Sequence, residues 1–319
     1  MKMLYGARLA RFDLLRAINS LAVHITKWTP EQDQALHRVM CYVWSTLDHR
    51  MVGFVGDKIE ELQPHLYADA DFSGCPETQR STSGLHFAIR GRYTCFPLAG
   101  ASKRQSCVSH STPEAEITAA DFALRTCGLP ALHLWDTILR RDAGLVFHED
   151  NQAMIRIMET GRNPTMRHLG RTHRVSVSWM HEIFSNLNIQ LLYEKTHRQC
   201  ADIYTKGFEN SQKWIDACLL IGVVDRHHLS ELLRKFTEHE KETEEEGMPP
   251  ASAPEISADP TGTKFPVFAV PASRRGGGTA NTVSALTNAS IKHKEQDETW
   301  SPDYYAHVSD RSVPNEPTK

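Results

Sequence analysis

The sequence has little of what defines secreted, zinc-ribbon or membrane proteins. Its seven cysteines are odd in number and none falls in a Cys-x-x-Cys pair, which argues for reduced thiols and against a disulfide framework or a zinc ribbon. No stretch approaches the roughly 18 apolar residues that span a bilayer. The first residues are interrupted by Arg8, Arg11 and Asp13 and lack the apolar run of a signal peptide. We therefore expect an intracellular protein of the cytoplasm or nucleus, with no membrane partner.

The net charge of -3 hides an uneven distribution. Residues 1–210 hold 24 Lys and Arg against 22 Asp and Glu, whereas the remaining residues hold 12 against 17. A slightly basic body therefore precedes an acidic tail, and such a balance neither requires nor excludes a polyanionic partner. The tail, residues 240–319, is rich in Pro, Gly, Ser and charge, which predicts that it is largely disordered.

Apolar spacing predicts helices first and strands next. Residues 4–49 read as two amphipathic helices, the second of which begins after Thr29, a plausible N-cap before Pro30. Short strands bounded by glycine or polar residues then predict an antiparallel meander. These strands are residues 65–72, 84–91 and 93–100.

Helices and strands alternate in the following part of the chain. A long helix begins at Ser111 or Thr112 and is bent or restarted at 128–130, where Pro130 lies. The later predicted elements are a strand at 145–150, helices at 151–161 and 175–186, a strand at 189–196, a helix from 200 and helix again within 211–233. This order predicts an α/β fold in which helices flank a mixed sheet. The predicted regions are a helical segment at 1–58, an α/β domain at 59–210, C-terminal helices at 211–239 and the tail at 240–319.

Carboxylates stand at the ends of several predicted elements. Strand alternation puts Asp69 and Asp71 on one face, where two like charges repel unless a cation neutralises them. Further acids follow at Glu114 or Glu116, at Asp150 and at Asp202.

Helical periodicity selects Glu116 as the inward acid of the long helix. Glu116 is in register with a stripe of small apolar residues that includes Ala119 and Ala123. Glu114 lies on a polar stripe. There its charge compensates the helix dipole in the first turn, or its side chain forms a capping box with Ser111.

Converging carboxylates at one end of a sheet would hold two divalent ions, as in the attack of water on a phosphodiester. Mg²⁺ is the natural ion because hard oxygen ligands select a hard cation, with Mn²⁺ as the alternative. Each acid alone is more often a solvated or capping residue. Their joint placement favours the metal site.

Six motifs occur in an order that resembles a known family. YADADFSG, RSTSGLHFAIRG, SKRQSCVSHSTPEAEITAA, EDNQAM, NPTMRHLGRTH and CADIYTK resemble the ribonuclease H region of copia-type LTR retrotransposon polyproteins. The preceding segment is similar to the end of the reverse transcriptase and its connection in the same polyproteins. The resemblance covers about residues 5–222 and implies a ribonuclease H-like mixed five-stranded sheet.

The resemblance implies endonucleolytic hydrolysis of the RNA strand of RNA-DNA hybrids by two-metal catalysis. Asp71 is implied to be a non-essential neighbour of the site. His197 lies in a loop where related enzymes carry a histidine that assists product release, although a surface histidine is the alternative. The motifs assign the catalytic, metal-binding acids to Asp69, Glu116, Asp150 and Asp202.

The expected partner is an RNA-DNA hybrid, held through its backbone charge and shape. A reverse transcriptase body, supplied upstream or in trans, is a further expected partner. Ser81 and Asn151 lie next to motif acids and either contact the sugar-phosphate or serve as caps and turns. A solvated basic loop is the alternative for the basic residues. The best phosphate contacts are Lys103, Arg104, Arg162, Arg167, Arg171 and Arg174.

Two other functions remain open on the sequence. A DDE-type integrase core would enlist Asp69, Asp150 and Glu182 but leaves Glu116 and Asp202 unexplained. The other alternative, of a different class, is a catalytically inactive retroelement remnant that binds nucleic acid or only folds.

Overall fold

The computed structural model describes residues 2–140 and 142–229, all of which belong to one structural unit, Met1–Gly247. The tail predicted to be disordered, 240–319, lies outside the described residues. Within the described ranges, no helix has the length and apolar character that a membrane crossing requires.

The described residues form helices α1–α9 and strands β1–β7. The helices are α1 (Lys2–Ala10), α2 (Leu15–Ala22), α3 (Pro30–Ser45), α4 (Thr112–Ala123), α5 (Leu129–Leu139), α6 (Gln152–Thr160), α7 (Leu169–Thr172), α8 (Val177–Asn186) and α9 (Ser211–Leu220). The strands are β1 (His49–Met51), β2 (Gln63–Asp71), β3 (Thr82–Gly91), β4 (Thr94–Arg104), β5 (Leu145–Glu149), β6 (Ile189–Tyr193) and β7 (Val223–Asp225).

A five-stranded sheet with the order β4-β3-β2-β5-β6 forms the centre of the fold. Strands β2, β3 and β4 pair antiparallel, whereas β5 runs parallel to β2 and β6 runs parallel to β5. The predicted meander and the ribonuclease H-like mixed sheet flanked by helices are therefore confirmed. The carboxyl ends of β2 and β5 lie side by side, because these two central strands are parallel neighbours.

Strand alternation sends the side chains of β2 to two separate cores. Leu66 and Ala68 face a core shared with α4, α5, α6 and α8. On α4, Ala119 and Ala123 are completely buried, as the predicted stripe of small residues requires for close helix-sheet packing.

The opposite face of the sheet is covered by the N-terminal helices. Tyr67 packs in a core with residues of α1, α2 and α9 and with the short 3-10 segment Cys200–Tyr204. Strand β1 pairs antiparallel with β7, so the N-terminal and C-terminal segments meet in a small second sheet. Thr29 and Pro30 begin α3 as predicted, and the Thr29 N–H donates to Gln32 Oε1 at 3.0 Å.

One predicted helical region has the expected break, and another is shorter than expected. The long helix restarts as predicted, through a π-helical turn at Leu124–Gly128, since Pro130 has no N–H to continue the regular ladder. The helix expected from residue 200 is only the 3-10 segment Cys200–Tyr204.

Of the helix expected within 211–233, the structure has α9 up to Leu220, and the prediction is wrong at Val223–Asp225, which form β7. Residues 230–233 lie outside the described residues. Gly222 adopts a φ of +74°, a left-handed conformation that glycine takes at little cost. A Cβ at this position would also lie 2.7 Å from the carbonyl oxygen of Val52. The chain therefore turns at Gly222 and continues as β7.

Replacing Leu15 by alanine should destabilise the sheet domain as a whole. Leu15 is 1% exposed in the core that joins α2 to α9, and such a truncation costs about 2–5 kcal/mol. Denaturant unfolding followed by circular dichroism and tryptophan fluorescence should show one transition at lower denaturant. The matched control is Leu9→Ala, because Leu9 is 58% exposed and its loss should cost less than about 0.5 kcal/mol. Separate transitions for the two signals would contradict a shared core.

Candidate active site

A glycine on β3 allows two distant segments to meet at Asp69. Asp69 pairs with Gly84 in the β2-β3 register, and a Cβ on Gly84 would lie 2.7 Å from Thr205 Cγ2. The missing side chain lets the segment Cys200–Tyr204 pack directly on the sheet. Asp202 is thereby brought to Asp69, although 133 positions separate them in the sequence.

Three carboxylates form a first group on this side. Asp69, Asp150 and Asp202 each offer an oxygen within 4.8 Å of the others. The Thr205 hydroxyl donates to Asp69 Oδ2. Lys206 Nζ lies 3.2 Å from Asp69 Oδ1 and 2.8 Å from Asp202 Oδ1. One ammonium group therefore neutralises part of the charge of this group.

A second group of carboxylates lies on the α4 side and shares Asp150 with the first. Glu116, Glu149 and Asp150 offer oxygens within 4.8 Å of one another. Glu116 is 4% exposed and Glu149 is completely buried. Within the described part of the chain, Oε2 of each glutamate has no hydrogen-bond partner. Buried oxygens of this kind are costly unless a proton or a cation satisfies them.

Burial and mutual repulsion perturb the pKa values of these groups. Burial, followed by the Asp69 carboxylate, raises the pKa of Asp202 to about 7. Burial, followed by the Glu149 carboxylate, raises the pKa of Glu116 well above its usual range. Burial opposes the charge of Lys206, but the carboxylates of Asp69 and Asp202 outweigh it and raise the pKa of Lys206. The site thus favours added positive charge.

The donor set fits a hard divalent cation. Both groups consist only of carboxylate oxygens, the ligands that Mg²⁺ and Mn²⁺ prefer. Such an ion, if bound by this group, would satisfy the orphaned, buried oxygens of Glu116 and Glu149.

Glu114 is buried, although periodicity puts it on a polar stripe. Ser111 is the N-cap of α4, and its hydroxyl accepts from the Glu114 N–H at 3.4 Å. Glu114 Oε1 lies 3.2 Å from Nε2 of both His168 and His173, and Oε2 accepts from the His110 N–H at 3.0 Å. Glu114 therefore ties the basic segment 162–174 to the first turn of α4.

The residues predicted to contact phosphate lie on or near the surface. Several of them belong to the basic segment that Glu114 contacts through His168 and His173. The Cys107 thiol donates to the Thr172 carbonyl at 2.9 Å, which joins the loop after β4 to the basic segment. Lys103 Nζ lies 4.9 Å from the centre of the Phe122 ring. Arg104 is half-buried. The other predicted phosphate contacts are all exposed, namely Lys103, Arg162, Arg167, Arg171 and Arg174.

Two residues predicted to contact nucleic acid instead stabilise the fold locally, one in a turn and one at a helix N-terminus. Ser81 is completely buried, and its hydroxyl accepts from the Ser73 N–H at 3.1 Å. The predicted contact of Ser81 with the sugar-phosphate is wrong, because Ser81 lies beneath the turn between β2 and β3 and has no exposed surface for a ligand. Asn151 caps α6, since its Oδ1 accepts from the Met154 N–H at 3.0 Å.

The remaining predicted residues, His197, Asp71 and Glu182, belong to neither of the carboxylate groups found among the described residues. His197 is exposed beside Thr196, whose hydroxyl donates to Asp150 Oδ2 at 3.1 Å. Asp71 accepts from the Thr82 N–H and belongs to neither group. Glu182 is also outside both groups found among the described residues, so the integrase alternative lacks its third acid there.

Sequence reasoning missed Glu149, Thr205, Lys206 and Gly84. A local signal existed for Glu149, because alternation along β5 puts it on the same face as Phe147, inside the α4-side core. Thr205 and Lys206 stood in the CADIYTK motif, but no local pattern showed that they reach Asp69.

Fold and site together define a ribonuclease H-like α/β protein with five carboxylates at one end of its sheet. No family model matches the chain. The chain is 35% identical over 106 residues to the retrovirus-related Pol polyprotein from transposon RE2 of Arabidopsis thaliana, a match that covers 33% of this chain and 7% of that protein. It is 26% identical over 197 residues to the transposon Ty1-LR3 Gag-Pol polyprotein of Saccharomyces cerevisiae, a match that covers 61% of this chain and 11% of that protein. The resemblance to retrotransposon polyproteins is thereby confirmed.

A further curated protein and a solved structure are also similar to the chain. The uncharacterized mitochondrial protein AtMg00810 of Arabidopsis thaliana is 32% identical over 111 residues, covering 35% of this chain and 43% of that protein. The chain thus spans from 7% to 43% of the length of the curated relatives named here. Among solved structures, LC11-RNase H1 in complex with RNA/DNA hybrid is 14% identical, with a TM-score of 0.33 over 45% of this chain and 94% of that one. The strand order β4-β3-β2-β5-β6 by itself defines the fold.

Protonation of Asp202 should stabilise the metal-free protein as the pH falls from about 8 to about 5. The folded-state pKa of Asp202, about 7, is above its unfolded value, so the folded state binds more protons in this range. Each pKa unit corresponds to about 1.4 kcal/mol. Denaturant unfolding in a chelator at several pH values measures the slope of stability against pH in wild type and in Asp202→Asn. The variant should gain less stability, or lose more, than wild type as the pH falls. An equal slope in wild type and variant would contradict the assignment to Asp202.

Proposed function

We propose that the chain is a metal-dependent ribonuclease of the ribonuclease H type, which hydrolyses the RNA strand of RNA-DNA hybrids. The observation that carries this proposal is the pair of carboxylate groups that share Asp150 at the end of a ribonuclease H-like sheet. The resemblance to retrotransposon polyproteins supports the same function.

Asp69, Glu116, Asp150 and Asp202 would hold two Mg²⁺ ions, or Mn²⁺ in their place. When bound, such ions polarise the phosphodiester, lower the pKa of water and stabilise the leaving oxygen. Thr205 orients Asp69 through its hydroxyl. Lys206 bridges Asp69 and Asp202 and so limits the repulsion between them.

The basic segment 162–174 supplies the grip on the substrate. Glu114 contacts His168 and His173 and so holds this segment in place. Glu114 is less than one helical turn from Glu116 on α4, so the segment is anchored close to the carboxylates. Exposed arginines there contact phosphates without reading bases. His197 lies beside Thr196 and so near Asp150, and its proposed role is to assist product release.

Asp150→Asn should abolish cleavage, because Asp150 is the acid common to both groups. The assay is incubation of the purified full chain with a labelled hybrid, with and without Mg²⁺. Only the RNA strand should be cut, and the variant should lose at least about 100-fold in rate. Asp71→Asn is the matched control, because Asp71 is a neighbouring acid outside both groups, and it should cut normally. Binding of the hybrid by wild type without cutting would instead favour the inactive retroelement remnant.

Arg171→Ala should weaken hybrid binding without changing the sequence preference. An exposed arginine that contacts one phosphate contributes about one unit to the slope of log affinity against log salt. Fluorescence anisotropy with a labelled hybrid at several salt concentrations measures this slope. Arg38→Ala on α3 is the control, because Arg38 is also exposed, on a helix distant in sequence from the basic segment. An unchanged slope for Arg171→Ala, or an equal loss for Arg38→Ala, would contradict the assigned surface.

A further inference from the structure

Glu149 is a buried acid that the four-carboxylate assignment does not use. It is the last residue of β5 and is completely buried. Its Oε1 accepts from the Asn151 N–H at 3.0 Å. Its Oε2 has no partner among the described residues. Half of this carboxylate therefore supports the turn before α6, and the other half is left without a structural role.

Glu149 belongs to the same carboxylate group as Glu116. Both Oε2 atoms are buried and unpartnered in the described part of the chain, and Asp150 completes the group within 4.8 Å. Neither glutamate forms an ion pair with a described residue, whereas Asp69 and Asp202 share the Lys206 ammonium. The α4 side of the site thus concentrates negative charge and has no contacting cation among the residues that the structure describes.

The geometry points to Glu149 as a fifth carboxylate ligand, which binds a hard divalent cation together with Glu116 and Asp150. This assignment rests on the proposed metal-dependent function and extends its ligand set. It also balances the charge, because five carboxylates are offset by two divalent cations and the Lys206 ammonium. A role limited to the turn would need only the oxygen that accepts from Asn151.

Glu149→Gln separates the two roles. Glutamine keeps an oxygen that accepts from the Asn151 N–H and nearly the same volume, but it removes the charge of the proposed ligand. The variant should fold, because it replaces a buried charge with a neutral group. Thermal unfolding in a chelator checks this, with a melting temperature equal to or above that of wild type.

The test is Mn²⁺ binding to the full chain, measured by the electron paramagnetic resonance of free Mn²⁺ and by isothermal titration calorimetry. Wild type should bind two ions. Glu149→Gln should bind one with unchanged affinity and the other about 10-fold more weakly or worse. Asp71→Asn, the matched control, should bind both as wild type does. These readouts need no catalytic activity.

Three results would overturn the assignment. They are two ions bound to Glu149→Gln at wild-type affinity, equal weakening in Asp71→Asn, and no Mn²⁺ bound by wild type. The first result leaves the nuclease function intact with four metal ligands. The second would mean that the loss of any nearby negative charge weakens Mn²⁺ binding, so that Glu149 need not be a ligand. The hybrid cleavage assay tests the proposed function separately. A wild-type protein that binds two ions but does not cut RNA would refute the nuclease function and leave the assignment of Glu149 as a metal ligand intact.

Discussion

Repulsion among buried carboxylates is the constraint on which the rest of this structure depends. Five acids meet at the end of the β2-β5 pair, where low exposure makes each charge expensive. Lys206, the Thr205 hydroxyl and the Asn151 N–H offset only part of this cost. The surrounding fold must therefore hold the acids together against their own electrostatics, as a centre built for cations requires.

The N-terminal helices are part of the support for this centre. Arg16 Nε on α2 donates to the Thr205 carbonyl at 2.8 Å, and Thr205 in turn donates to Asp69. Asn19 on the same helix donates to the Ser102 carbonyl on β4 at 2.9 Å. A segment that resembles a connection to a polymerase thus buttresses the site and covers one face of the sheet.

Local patterns were sufficient for most of the fold. Alternation along β2 and β3 and the stripe of alanines on α4 depend on near neighbours in the chain, so the meander and the inward direction of Glu116 could be predicted. The short β1-β7 pair could not be predicted, because strands of three residues carry too little periodicity. Their pairing depends on a turn at Gly222 and on contacts between the two ends of the domain.

The sequence by itself determined which acids stand at the ends of elements and that Glu116 turns toward the sheet. Only the tertiary structure decided that Glu149 joins Glu116, that Lys206 bridges Asp69 and Asp202, and that Ser81 is buried. The reason is the range of the interactions. Helical and strand periodicity describe residues a few positions apart, whereas Asp69 and Lys206 are 137 positions apart and meet only because Gly84 lets a distant segment lie on the strand.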